Sequence, residues 1–443
     1  MKQDRPRRLA SLTLVSLLVA CTSRSPSEAP EVSSQAGAPT SAPVASSASA
    51  SAAAAAPTSA ASPTPAGPLG GGPLLVYQLD DMLADKAKTE SVFTFDLGTG
   101  ERTKIGSIRR GKEDGCCPEV VRLSTDRTRA FLWAGRYRAS VDVAARAVTP
   151  APKRLVTFVN DGSSSGDRLA WVDWETGTAE TIVIADLKGH ELDRLALPTG
   201  AWQTTLAWSP DDKSFAVATR RPIATAMAGL GGTILCCSVD HGVTANHLLI
   251  VPVDGSAIRD LLDDAAAVAQ DESQPIPTPP PGETTIGARK AERSFAPPVW
   301  SPDGRTILLT STFCEGASSY HHAGACHGSL SLVDTYSGAQ TALMNDFGTI
   351  GGVDWSPDGR KVAFISGSEG QDRLYVVDRD GHNLRALRYA SGGLVDWSPD
   401  GAWIAFWQWG TEGPEERDRS DVWAMPLVGG VPLLVAEHAT AGW

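Results

Sequence analysis

The chain has 443 residues, 42% of them apolar and 20% charged, enough to bury a sizeable core. Its 51 acidic and 39 basic residues give a net charge of −12, which argues against nucleic acid as the main partner. Charge of this size speaks chiefly to solubility.

Lys2, Arg5, Arg7 and Arg8 precede an apolar core, Leu9 to Ala20, which is shorter than the roughly 20 residues a bilayer span needs. Residues 1–20 are therefore an export signal. It ends in Leu18-Val19-Ala20-Cys21, which resembles the bacterial lipobox. The resemblance implies that Cys21 is acylated, and multiple acyl chains give durable anchoring. Thr22 follows Cys21 rather than Asp, which by the same resemblance favours the outer membrane, facing the periplasm. Removing four basic residues and Asp4 subtracts three positive charges, so the mature chain carries −15. No other segment is apolar and long enough to cross a bilayer, so the lipid is the only expected membrane contact. Residues 21–72 are Ala, Ser, Pro, Thr and Gly with almost no large apolar side chain, and read as a disordered tether. Its reach is about 40 Å at roughly 5–6 Å × √n.

Residues 73–443 are organised by one recurring stretch. Asp354-Trp355-Ser356-Pro357-Asp358-Gly359 precedes an apolar run, and so do Asp396-Trp397-Ser398-Pro399-Asp400-Gly401 and Val299-Trp300-Ser301-Pro302-Asp303-Gly304. The fourth copy, Ala207-Trp208-Ser209-Pro210-Asp211-Asp212, has Asp where the others have Gly. Pro suits the first central position of a type I turn, Asp the second, and Gly the left-handed position after them. Asp212 is tolerable there because Asp enters the left-handed region more easily than most residues. Each unit is a strand, a tight turn and a strand. A lone hairpin cannot bury its apolar faces, so the units must stack.

Trp355 and Trp397 are 42 residues apart, the length of a four-stranded propeller blade. With strands named A to D, the blade after Trp300 has A at 352–355, B at 361–366, C at 373–378 and D at 384–389. Upstream, strands are expected at 130–134 and 139–143, and then at 155–159, 168–174, 181–187 and 192–197. Segments 74–79, 92–97 and 103–108 supply only B, C and D of a first blade. Residues 439–443 are expected to supply its missing strand A and close the ring. The count is seven blades, with six the alternative, and closure removes the open sheet edges.

The Trp-Ser-Pro-Asp-Gly copies resemble the PD40 (WD40-like) repeats of TolB-like propellers, which also occur in prolyl oligopeptidase and dipeptidyl peptidase enzymes. The resemblance implies an all-β propeller, and loosely a role in binding proteins, in binding or cleaving polysaccharide, or in gating an attached peptidase. The peptidase version needs an added hydrolase domain with a Gly-x-Ser-x-Gly elbow. The match here, Gly162-Ser163-Ser164-Ser165-Gly166, lies between an A and a B strand, where no strand-to-helix elbow can form.

Connections A–B and C–D are short, while B–C and D–A carry the extra residues, and these emerge on one face. The long connections at 84–90, 109–118, 221–245, 265–293, 312–328 and 410–419 should crowd that side, where binding commonly resides. For 265–293, with its Pro275–Pro281 run, a tolerated insertion is the reading.

The six remaining cysteines all lie in these connections. An even count in an exported chain implies disulfides. Cys314 ends a B strand and Cys326 starts the adjoining C strand, so a bond is expected between them. For the doublets Cys116-Cys117 and Cys236-Cys237, bonds from one doublet to the other are expected. The competing use of this region is a metal site, with His241, His247, His321, His322 and His327 beside Cys314 and Cys326. The spacing fits no standard finger, and no metal or other cofactor is assigned. The tryptophans at strand positions read as packing between blades.

Together these readings give a lipid-anchored, monomeric, non-catalytic envelope propeller that binds another envelope protein through its long-loop face. The alternative is a propeller that binds or cleaves polysaccharide in its central funnel.

Overall fold

The computed structural model describes residues 74–79, 89–109, 120–133, 137–152, 161–173, 181–198, 200–222, 244–273, 291–315, 326–367, 372–390, 394–409, 420–437 and 439–443. They form seven antiparallel sheets, one per blade, with A innermost and D outermost. Blade 2 is Val120–Leu123, Arg129–Trp133, Tyr137–Asp142 and Ala147–Pro150; blade 3 is Asp161–Gly162, Arg168–Asp173, Thr181–Asp186 and Glu191–Ala196. Blade 4 is Trp202–Trp208, Ser214–Pro222, Thr244–Pro252 and Arg259–Asp263. Blade 5 has a divided inner strand, Ala291–Phe295 and Val299–Trp300, then Thr306–Glu315, Cys326–Asp334 and Gln340–Phe347. Blade 6 is Thr349–Trp355, Lys361–Gly367, Arg373–Asp378 and Arg385–Tyr389; blade 7 is Val395–Trp397, Trp403–Trp409, Ser420–Pro426 and Leu433–Ala436.

Blade 1 joins the two ends of the propeller. Its strands B, C and D are Leu74–Leu79, Thr89–Phe95 and Arg102–Arg109, and its strand A is Ala439–Gly442, antiparallel to B with Leu75 opposite Gly442. The seven-bladed ring and its C-terminal closure are therefore as expected. The energetic reason is visible in one cluster: Leu74, Val76, Phe93 and Phe95 of blade 1 pack with Val422, Ala424 and Val435 of blade 7 and with Ala439, Ala441 and Trp443. Each burial of this kind removes apolar surface from water at about 25 cal/mol per Å².

The recurring turn is built alike in each copy. Ser356 Oγ donates to Asp358 Oδ1 (2.7 Å), and that carboxylate accepts the Arg360 N–H (3.0 Å). Ser301 with Asp303 and Ser398 with Asp400 repeat the pair at 2.6 Å. Gly304, Gly359 and Gly401 have φ of 67°, 66° and 67°, as the turn chemistry requires. The turns also stack from blade to blade. A Cβ on Gly304 would lie 3.9 Å from Pro210 Cδ, one on Gly359 3.7 Å from Pro302 Cδ, and one on Gly401 3.9 Å from Pro357 Cδ. The Pro of one blade thus rests on the Gly of the next.

Where the fold departs from the sequence reading, the causes are local. In blade 3 the described part of strand A is Asp161–Gly162, which pairs Ala170 and Leu169 at the register other blades use, and the expected strand at 155–159 lies outside the described residues. The insertion after blade 4 begins with a helix, Ala265–Ser273, whose first turn closes as Val268 N–H donates to the Asp264 carbonyl (2.9 Å). Its Ala-rich start favours a helix, which the downstream proline run hid.

Candidate functional site

Strand A of each blade ends in the same way, so sheet register identifies one equivalent position per blade, just before the turn. It is Gly442, Arg122, Asp161, Ala207, Val299, Asp354 and Asp396 in blades 1 to 7, opposite Leu75, Phe131, Ala170, Ala216, Leu308, Ala363 and Ala405. Three carboxylates and one guanidinium therefore share a ring at the inner end of the turns. Arg122 Nε lies 3.5 Å from Asp161 Oδ1. Gly442 brings no side chain to the blade between Arg122 and Asp396.

Each carboxylate first serves the fold. Asp161 Oδ2 accepts the backbone N–H of Trp208 (2.8 Å), Asp354 Oδ2 that of Trp397 (3.3 Å), and Asp396 Oδ2 that of Trp443 (2.9 Å). In every case the donor belongs to the next blade. The indole N–H groups add a second tie: Trp300 to the Ala207 carbonyl (3.1 Å), Trp355 to Val299 (3.4 Å) and Trp397 to Asp354 (3.4 Å). Trp, at each of these places, links its blade to the one before.

The ring is also electrostatically strained. Burial pushes the Asp161 carboxyl above its ordinary value, against the pull of Arg122. Burial, and then repulsion by Asp396, raise Asp354 further. Asp396 is pushed up to about 6 by burial, offset by the Trp443 N–H and by Arg122. Asp161, then Asp354 and Asp396, hold Arg122 firmly protonated. Such a cluster could bind a cation or move a proton, but its shortest contacts are those that tie blades together.

On the turn face, an open cleft of about 450 Å³ lies between blades 4 and 5, lined by Ser209, Asp211, Arg259, Trp300, Asp303 and Thr335. The Arg259 guanidinium donates to the carbonyls of Thr335 (2.9 Å) and Tyr336 (3.2 Å), fixing the two blades across it.

The residues singled out in the sequence divide cleanly. Cys314 and Cys326 are register partners and are joined, S–S 2.04 Å. His327 is exposed, beside them, and His247 Nδ1 is 2.7 Å from Asp260 Oδ2. Among the described residues no group of three or more His, Cys, Asp or Glu could hold a metal ion. Cys21, Cys116, Cys117, Cys236, Cys237, His241, His321 and His322 lie outside the described residues. The Gly162–Gly166 turn is occupied in a way that rules out an elbow: Ser164 and Ser165 N–H donate to Asp212 Oδ1 (2.6 Å) and Oδ2 (2.8 Å). The ring of Arg122, Asp161, Asp354 and Asp396 was missed. Its one sequence signal was Asp before Trp in two of the four copies.

Repeat, blade count and closure together decide the class. In fold, the chain is a seven-bladed β-propeller. No protein-family model and no curated protein sequence matches it. Solved structures similar to it include TolB from Acinetobacter baumannii, 13% identical over 83% of this chain and 81% of that one, TM-score 0.39. The β-propeller domain of the Trilobed protease from Pyrococcus furiosus is 12% identical over 82% and 93%, TM-score 0.46. Oligogalacturonate lyase from Vibrio parahaemolyticus is 13% identical over 84% and 92%, TM-score 0.44. At such identities the likeness concerns fold alone.

Proposed function

We propose that this chain is a non-catalytic envelope propeller, anchored through acylated Cys21, that binds another protein on its long-loop face. The observation that carries the reading is the asymmetry of the two faces. The strand ends that bracket residues 80–88, 110–119, 223–243, 274–290, 316–325 and 410–419 all lie at the B–C and D–A side. Among the described residues the other side joins its strands by tight turns, and a rigid scaffold with added chain on one face suits recognition there. The Cys314–Cys326 bond closes the neck of the 316–325 connection, which limits the freedom lost on binding. The non-catalytic part is supported by the channel carboxylates, each of which is committed to a backbone N–H of the next blade.

The test is capture of the acylated full chain from its own envelope, with and without residues 316–325 replaced by a Gly-Ser linker. A specific protein lost with the replacement supports the reading; an unchanged capture overturns it. A second reading, polysaccharide chemistry in the channel, is favoured by one observation, the raised pKa of neighbouring Asp354 and Asp396, which lets a carboxyl keep its proton. It requires activity on a polysaccharide that Asp396→Asn abolishes while the fold persists.

A further inference from the structure

We propose that the C–D turn of blade 7, residues 427–432, is a second membrane contact, resting its two exposed valines on the bilayer that holds the anchor. The proposal rests on the anchoring reading above.

Among the described residues, the exposed large apolar side chains are Leu192, Tyr336, Leu384, Val428 and Val431. All five lie in C–D turns or in the first two residues of the strand that follows, so all belong to the turn face. Blade 7 stands apart. The other six C–D turns carry an acidic residue, Asp96, Asp142, Asp186, Asp254, Asp334 and Asp378. In blade 7 the register position of Asp378 is held by Pro426, as by Pro252 in blade 4, but here Leu-Val-Gly-Gly-Val-Pro follows with no charge at all. Val428 is 94% exposed and Val431 88%.

The tip is built to project. Leu427 N–H donates to the Ala402 carbonyl (2.8 Å) and Gly429 N–H to that of Pro426 (3.1 Å). Gly429 and Gly430 then take φ of 92° and 146°, values closed to valine, and turn the chain between the two side chains. A Cβ on Gly430 would sit 3.1 Å from Pro426 Cγ.

The occupant follows from where the chain enters. Leu74 begins strand B of blade 1 at the turn face, opposite Phe95, and blade 1 packs on blade 7. An acylated Cys21, 53 residues upstream, would therefore tether the propeller from this face, one blade from the tip. Tethering makes the second contact intramolecular, at an effective concentration that populates even a weak one. Branched apolar side chains on a projecting, uncharged turn suit the headgroup–acyl boundary, and the 90% exposed Tyr336 suits the interfacial level. Asp380 and Asp400 on neighbouring turns are balanced by Arg379 and by Arg385, whose guanidinium donates to the Leu427 carbonyl (3.1 Å), so the fitting headgroup is zwitterionic.

The experiment uses the full chain made with its own leader, carrying the photo-crosslinker p-benzoylphenylalanine in place of Val428, or in place of the exposed Ala196 at the opposite end of a D strand. The acylated protein is placed in phosphatidylcholine–phosphatidylethanolamine vesicles, irradiated, and read by mass for phospholipid adducts. At least about fivefold more adduct at 428 than at 196 is expected. Equal yields, no adduct, or cross-linking at 428 to a protein in intact envelopes would overturn the contact while leaving the anchor standing. Mass of the unirradiated protein reads the anchor separately: Cys21 without acyl chains removes the anchoring reading, and the contact with it.

Discussion

Asp212 is the sharpest test of how the blades are joined. Replacing it by Gly restores the residue found in the other three copies of the turn, and by repeat statistics alone should be harmless. The contacts say otherwise. Asp212 accepts Ser164 N–H at 2.6 Å and Ser165 N–H at 2.8 Å, and lies 3.6 Å from Arg168 Nη2. Ser164 stands where blades 4 to 7 have Pro, so the Pro-on-Gly contact between turns is replaced here by an amide-to-carboxylate contact. Hydrogen bonds to a charged group contribute about 1.5–3 kcal/mol each. Ser165 is exposed and water can take its N–H, so the loss is nearer one such bond plus a weak ion pair. Relief of the left-handed Asp212, φ 59°, returns about 1 kcal/mol, most of it spent on glycine's entropy. The net cost is about 2 kcal/mol. With unfolding entropy near 2.1 cal/mol/K per residue over the propeller, that lowers Tm by roughly 2–3 °C. Ser164→Pro alone should also destabilise, since it deletes a donor and sets Cδ against the carboxylate. The double variant recreates the common pair and should recover most of the loss, a favourable coupling above 1 kcal/mol in a double-mutant cycle. Calorimetry of the four proteins decides. Asp212→Gly melting at or above the parent would refute the reasoning.

Further outcomes follow from the same contacts. Asp396 has a folded pKa of about 6 against 3.8, so its contribution to stability is present in acid and lost as pH rises through 6. Between pH 4 and 7 the parent should therefore lose up to about 3 kcal/mol relative to Asp396→Asn, read as converging Tm profiles on acidification; parallel profiles would contradict it. Cys314→Ser with Cys326→Ser reopens a short loop and should cost about 3 kcal/mol, with reducing agent lowering the parent's midpoint but not the variant's. Trp443→Ala should cost about 3–5 kcal/mol in denaturant titration, because the indole is buried where blades 1 and 7 meet.

Much of the fold was legible because the turn chemistry is local. Pro357, Asp358 and Gly359 need only their own neighbours to specify a turn, and the same three types recur at the same offsets. The closing strand was legible from a missing partner for Leu74–Leu79. The ring of Arg122, Asp161, Asp354 and Asp396 was not, because its members share a position only through sheet register, and Arg122 and Asp161 sit in units without the Trp-Ser-Pro-Asp spelling. The role of Asp212 was half legible: its conformation could be inferred, but its partners are 47 and 48 residues away and sit in a turn with Ser164 where blades 4 to 7 have Pro.

Closing the ring with residues 439–442 makes synthesis order matter. Leu75 leaves the ribosome 367 residues before its partner Gly442. Until residues 439–442 arrive, blade 1 keeps an unpaired inner edge, the feature that invites pairing with other chains. A product truncated before residue 439 would thus resemble a nascent chain in its exposure to aggregation and proteolysis. The ring becomes safe only when residues 439–442 have been made and paired.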